Sequence, residues 1–258
     1  MVEPEEQNQG SSSQSSVAAS VPTSESAQSA DPPSGSSGAS SGASSGDADL
    51  GDAEPVAEAP LDYDPELWLE VQALDPSIVL DIRYATEDNF VGEPLYPCGR
   101  CFLRPEAAVA VVKAHQALQE AGYGGLKLFD CYRPTPIQAR LWEISPDPRA
   151  VAPPSKGSMH NRGLAIDLTV LDRDGKELDM GTAYDAFSER SYHGFRGLSA
   201  EVRKNRKALL RAMESAGFRP LRTEWWHYTL KGMSQPLADF VWSCTGPWPG
   251  GPRYWERR

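Results

Sequence analysis

Four residues in two short segments offer the most chemistry in this chain. His160 stands seven positions before Asp167 in Ser158-Met159-His160-Asn161-Arg162-Gly163-Leu164-Ala165-Ile166-Asp167, and Glu224-Trp225-Trp226-His227 sets a carboxylate three positions before an imidazole. Asp167 falls on the polar side of an otherwise apolar stretch, where a lone acid is costly unless it is paired or bound to a metal. His160, Asp167 and His227 make an N, O, N donor set that suits one Zn²⁺ with a fourth position open to water, and Glu224 is then free as a base. On spacing alone, a structural role for the same residues stays open. Of the remaining histidines, His115 falls in a helical pattern as a surface or packing residue. His193 is the rival third imidazole, but Gly194 and Gly197 place it in a loop. Glu224 and His227 also pose a geometric problem, because residues three apart on a regular strand face opposite sides. A bulge or turn must bring them to one metal.

The elements that would position these groups are legible as periodicities. Ile78, Leu80, Ile82 and Tyr84 alternate, which reads as a strand within 71–84. Pro105 opens a helix that runs to Ala121 and stops at Gly122. Residues 126–131 read as a strand entering Tyr132-Arg133-Pro134, with Thr135-Pro136 as cap and first turn of a helix to Trp142. Residues 164–171 alternate, with Leu164, Ile166, Leu168 and Val170 on one face and Ala165, Asp167 and Thr169 on the other. Ser199 caps a helix through Ala216 whose apolar stripe is Val202, Leu209, Ala212, Met213 and Ala216. The basic residues Arg203, Lys204, Arg206, Lys207 and Arg211 read as its solvated face. A last strand covers 222–230. Strands and helices mix without a regular cadence, so the expected fold is α+β: one catalytic domain over 61–258 with a central, mainly antiparallel sheet flanked by helices.

Charge and composition exclude several other functions. The 258 residues carry 36 acids and 25 bases for a net charge of −11, and ten of those acids but no Lys or Arg lie in residues 1–60. The remainder is almost neutral, without the positive excess that phosphate contacts need, so no nucleic-acid partner is expected. No run approaches the ~20 apolar residues that span a bilayer, so no membrane-spanning segment is expected. Residues 1–60 hold no aromatic and are dominated by Ser, Gly, Ala, Gln and Pro, the composition of a disordered acidic tether. Met1-Val-Glu-Pro-Glu-Glu opens without a signal-peptide pattern. A long Ser/Gly tether fits a protein of the cell envelope or periplasm, and a disordered tail on a cytoplasmic protein is the alternative. Deleting residues 1–60 is therefore expected to leave the yield of folded protein and its turnover unchanged, which expression and assay of the truncated chain check.

Further motifs support a family assignment. The Ser-x-His-x-x-Gly-x-Ala-x-Asp run at 158–167 and Glu-Trp-Trp-His at 224–227 resemble the zinc D-alanyl-D-alanine dipeptidases of the VanX type. Asp130-Cys131-Tyr132-Arg133-Pro134, Tyr84-Ala85-Thr86-Glu87-Asp88-Asn89-Phe90 and Met180-Gly181-Thr182-Ala183-Tyr184-Asp185 with Ser188-Glu189-Arg190 resemble that family's other motifs, in consistent order over about residues 75–235. The resemblance implies His160, Asp167 and His227 as ligands of one Zn²⁺, Glu224 as catalytic base and Arg133 as transition-state stabiliser. It places Asp185, Ser158 and Tyr84 near a small dipeptide substrate, with Asp185 pairing with its free ammonium. Without it, Asp185 can also be read as a helix cap and Arg133 as a structural ion-pair partner, and Trp225 and Trp226 read as core and cleft wall. The expected activity is hydrolysis of D-Ala-D-Ala. The alternatives are a D,D-carboxypeptidase or murein endopeptidase on longer stem peptides and a non-catalytic zinc-stabilised binding module. Cys98, Cys101, Cys131 and Cys244 read first as buried thiols and second as a bridge involving Cys98, none of them catalytic.

Overall fold

The structure, a computed structural model, describes residues 62–244. The tether expected over residues 1–60 lies outside the described residues. Two sheets form the frame. A small antiparallel pair joins β1 (Leu69–Glu70) to β3 (Phe102–Leu103). The central five-stranded sheet has the order β2-β4-β5-β7-β6, from β2 (Val79–Leu80), β4 (Gly125–Asp130), β5 (Ala165–Leu171), β6 (Phe218–Leu221) and β7 (Glu224–Leu230). Its pairings are antiparallel except β2 with β4, so the sheet is mixed and mainly antiparallel. The parallel pair requires a crossover, and the chain between β2 and β4 supplies it through α2 (Pro105–Glu120).

Helix α2 and α4 (Ala200–Ser215) pack on each other and on the sheet. Pro105 starts α2 at a position where its missing N–H costs nothing. Ser199 Oγ accepts the Val202 N–H at 3.1 Å, a cap contributing about 0.5–2 kcal/mol. Strand β5 is buried along its whole length, because Ile166, Leu168 and Val170 enter the core on one face while Ala165, Asp167 and Thr169 are covered on the other. The cover over that second face includes the segment 180–192, whose Tyr184 ring packs on Phe129 and Trp226. His115 is a packing residue: Leu126 N–H donates to its Nδ1, and its Nε2 meets Ser77 Oγ. Among the described residues no helix is long and apolar enough to cross a membrane.

Four expectations need correction. The strand read over 71–84 is instead a helical turn, α1 (Val71–Leu74), the two-residue β2 and a 3₁₀ turn at Arg83–Ala85. Ile78, Ile82 and Tyr84 are nevertheless all buried, so their alternation reports burial rather than extended pairing. The helix after Arg133, α3 (Thr135–Ile144), is not capped by the Thr135 side chain, whose hydroxyl donates to the Ala238 carbonyl oxygen at 2.6 Å. Arg206 is not on a solvated face; it is buried on α4. The first reading of the cysteines, as buried thiols, gives way to two disulfides, Cys98–Cys244, which is the bridge involving Cys98, and Cys101–Cys131. Tyr132 N–H donates to the Phe102 carbonyl oxygen at 2.9 Å, which lays β3 beside the end of β4 and brings Cys101 to Cys131. That proximity comes from tertiary folding and has no counterpart in the Cys-x-x-Cys spacing.

Candidate metal centre and cleft

The site lies where β4, β5 and β7 end beside the turn at His160–Arg162. Asp167 on β5 pairs directly with His227 on β7, so both side chains project to the same face. His160 arrives from the 3₁₀ turn just before β5. Gly163 ends that turn with φ +68°, and a Cβ there would stand 2.5 Å from the Trp68 ring, so both backbone conformation and space require glycine. The bulge needed to unite Glu224 with His227 is present. Tyr228 pairs with Pro220 and Glu224 with Leu221, neighbours on β6, so β7 fits Trp225, Trp226 and His227 between two consecutive pairings.

The donor atoms converge. His160 Nε2 lies 3.1 Å from His227 Nδ1 and 3.3 Å from Asp167 Oδ1, and His227 Nδ1 lies 3.0 Å from the same oxygen. His160 Nδ1 donates to the Cys131 carbonyl oxygen at 2.7 Å, which leaves a lone pair on Nε2. His227 Nε2 meets Thr229 Oγ1 at 3.2 Å, which orients Nδ1 inward. Three such atoms in mutual contact are held together by a ring proton shared with the carboxylate or by a metal ion taking its place. Ligands at 2.0–2.1 Å around a tetrahedral zinc are about 3.3 Å apart, close to the spacing seen. The residues therefore fit the metal. Burial alone would raise the Asp167 carboxyl, but the His160 and His227 rings hold it well below the usual carboxylate range. Burial disfavours a charged His160, yet Asp167 and then Asp130 raise its pKa.

The other expected residues line the same cleft, a cavity of about 170 Å³ that includes Tyr84, Arg133, Ser158, Asp185 and Glu224 beside the three donors. Arg133 is buried; Nε and Nη2 donate to Asp130 Oδ2 at 3.0 and 2.6 Å and Nη1 to Gln138 Oε1 at 3.0 Å. Burial opposes its charge, and Asp130 more than offsets that, so it stays a cation. Asp185 accepts the Tyr84 hydroxyl at 2.8 Å. Burial, then the Asp167 charge, pushes its carboxyl up to about 8. Glu224 is pushed up to about 7 by burial. Ser158 Oγ accepts the His160 N–H at 3.1 Å and so braces the His160 turn as well as lining the cleft. Asp185 caps no helix; its φ is +54°, within a turn. Trp225 and Trp226 are buried in the core and, against the expectation of a cleft wall, do not line this cavity, and His193 lies apart from the donor group.

Several supporting residues carry no assigned role in the sequence reading. Asp130 holds Arg133 and accepts the Tyr96 hydroxyl at 2.5 Å, and Tyr184 donates to Asp167 Oδ2 at 3.0 Å. An acid at the end of an apolar strand, three residues before a buried arginine, is the signal that marks Asp130. Thr229 is foreshadowed by its place two residues from His227 on one strand face.

Comparison with known proteins agrees with this geometry. Residues 67–243 match the family model described as D-ala-D-ala dipeptidase. A D-alanyl-D-alanine dipeptidase of Escherichia coli K12 is 36% identical over 177 residues, covering 68% of this chain and 91% of the relative. Dipeptidases of the same name from Enterococcus faecium and Enterococcus faecalis V583 are each 36% identical, over 62% of this chain and 89% and 88% of their own lengths. A family match over residues 67–243 and relatives matched over about nine tenths of their own length establish that the chain belongs to the D-alanyl-D-alanine dipeptidase family and is a metallopeptidase.

Proposed function

We propose that this chain hydrolyses the dipeptide D-Ala-D-Ala in cell-wall peptide metabolism, with one Zn²⁺ held by His160 Nε2, Asp167 and His227 Nδ1. The observation that carries this reading is the convergence of three donor atoms with Glu224, Arg133 and Asp185 in one cavity of about 170 Å³, below the roughly 300–1,000 Å³ of pockets for drug-sized ligands. Zinc bound there supplies a Lewis acid that brings the pKa of water down to ~7. Glu224 takes the proton of the attacking water on its carboxylate and returns it to the leaving nitrogen. Three of Arg133's five N–H groups are engaged by Asp130 and Gln138. The remaining two are available to the oxyanion of the tetrahedral transition state, where a pre-set donor lowers the barrier. Asp185, steadied by Tyr84, receives the free ammonium, and the incoming cation shifts it to the carboxylate form.

The cysteine pairing bears on location. Both disulfides favour an oxidising compartment, because thiols stay reduced in the cytosol. This supports the cell envelope over the cytoplasm.

Substrate length tests the function. N-acetylation removes the cation and leaves Asp185 facing a neutral amide. Losing one partner of a buried charge pair costs about 2–5 kcal/mol, or roughly 30-fold to several-thousand-fold in kcat/KM. Wild-type enzyme is expected to discriminate against N-acetyl-D-Ala-D-Ala by that factor, and Asp185→Asn to lose most of the preference. Equal turnover of both substrates would replace the dipeptidase reading by the carboxypeptidase one.

A further inference from the structure

Helix α4 buries a cation with no ion-pair partner in contact, Asp179 being the carboxylate whose charge favours it from a distance. Arg206 is 5% exposed. Its Nε donates to the Met180 carbonyl oxygen at 2.7 Å, Nη1 to that of Tyr192 at 3.1 Å and Nη2 to that of Arg190 at 3.0 Å. Among the described residues no carboxylate pairs with it. Burial, then the Arg190 charge, lowers its pKa to about 10, so it is charged at neutral pH. Desolvating a guanidinium whose direct hydrogen-bond partners are all neutral carbonyls opposes folding, and what those carbonyls have in common is their place in the chain. They stand at the two ends of the segment 180–192, which holds Tyr184 and Asp185 between them.

That segment has little structure of its own, only a 3₁₀ turn at Glu189–Ser191. It also holds a strained residue, since Asp185 alone among the described non-glycine residues has a positive φ, +54°. Such a conformation persists only where the surroundings over-determine it. Ties within the segment contribute: Ser191 Oγ donates to the Ala186 carbonyl oxygen at 2.5 Å and lies 3.1 Å from Thr182 Oγ1, which accepts Trp225 Nε1 at 2.8 Å. Arg206 joins the two ends of the segment to one rigid helix.

We infer that Arg206 is a positioning residue for substrate recognition: its three-carbonyl clamp closes the segment 180–192 so that Asp185 is held with its carboxyl toward Tyr84 and the cleft, ready for the substrate's ammonium. The inference rests on the proposed pairing of Asp185 with that ammonium. Arg206 touches neither substrate nor metal and acts only through the segment.

The test is a double-substitution cycle on the full-length, metal-loaded enzyme. Arg206→Lys keeps the charge but loses the planar fork that reaches three acceptors. KM for D-Ala-D-Ala is expected to rise about 10²-fold, the scale of an ångström-sized misplacement. The kcat, metal content and circular dichroism should stay near wild type, and the preference for free over N-acetylated dipeptide should fall. In the double variant with Asp185→Asn, Arg206→Lys should add almost nothing to the loss of Asp185→Asn alone. Losses that multiply would overturn the clamp, as would a wild-type KM in Arg206→Lys. If Arg206→Lys does not fold, Arg206→Gln enters the same cycle, since no buried carboxylate is left unpaired. Asp185→Asn by itself separates the two ideas: an unchanged preference there sinks the ammonium reading and the clamp together. A lost preference there with a normal Arg206 variant sinks the clamp alone.

Discussion

Alanine at His160, Asp167 or His227 is expected to strip the metal from the protein and to abolish hydrolysis. Each contributes one of only three donors, 3.0–3.3 Å apart, and losing one leaves the ion largely to water. Outer partners of metal ligands typically contribute 10–100-fold in affinity, so Tyr184→Phe, which removes the hydroxyl donated to Asp167, sets the lower end of the scale. Loss of a ligand should exceed it. Metal content after dialysis, read alongside activity, checks this. A second reading is thermal. A metal that binds the folded donor set and not the unfolded chain adds stability, so a chelator should lower the wild-type Tm while leaving the Tm of His160→Ala unmoved, by linkage. His193→Ala should keep metal and activity. Full metal retention in any of the three alanine variants would break the assignment.

Glu224→Ala is expected to keep the metal and lose turnover, by the ~10²–10⁴-fold that general acid–base catalysis supplies. Glu224 stands at the bulge of β7, outside the converging donors, so binding should survive. Its carboxyl is pushed up to about 7 by burial, and only the ionised form accepts a proton. In the wild type kcat/KM should therefore fall on the acid side. Because a cation on the donor set favours the ionised carboxyl, that limb lies at or below pH 7 in the loaded enzyme. Glu224→Gln, which matches the shape without the base, should be as inactive as Glu224→Ala and lack the acid limb. Wild-type turnover in either variant would make Glu224 structural.

The route from the central strand to the metal is readable locally. Asp167 is an acid placed by alternation on one face of β5, and because the pleat has period two its direction follows from its neighbours. Helix ends are equally local: Pro105 and Ser199 act through their own backbone and first turn. The strand expected over 71–84 shows the limit. Alternating apolar residues there mark contact with the core, and whether the backbone extends depends on a ladder partner that the chain supplies only over β2.

Residue types and close spacing in the sequence thus marked the candidate donors in their two short motifs, the candidate base and the main helices, because each is a motif or periodicity within about ten residues, and the mix of those elements pointed to the α+β class. Tertiary structure decided the rest. Which nitrogen of each imidazole faces inward is set by Cys131 and Thr229, and the cysteine pairing by β3 lying against the end of β4. The β7 bulge that unites Glu224 with His227 depends on registry with β6. Arg206 leaves the solvated face assigned to it only because the carbonyls of Met180, Arg190 and Tyr192 fold back onto α4. Each of these depends on segments distant in the chain meeting at hydrogen-bond range, and local spacing carries no information about such meetings.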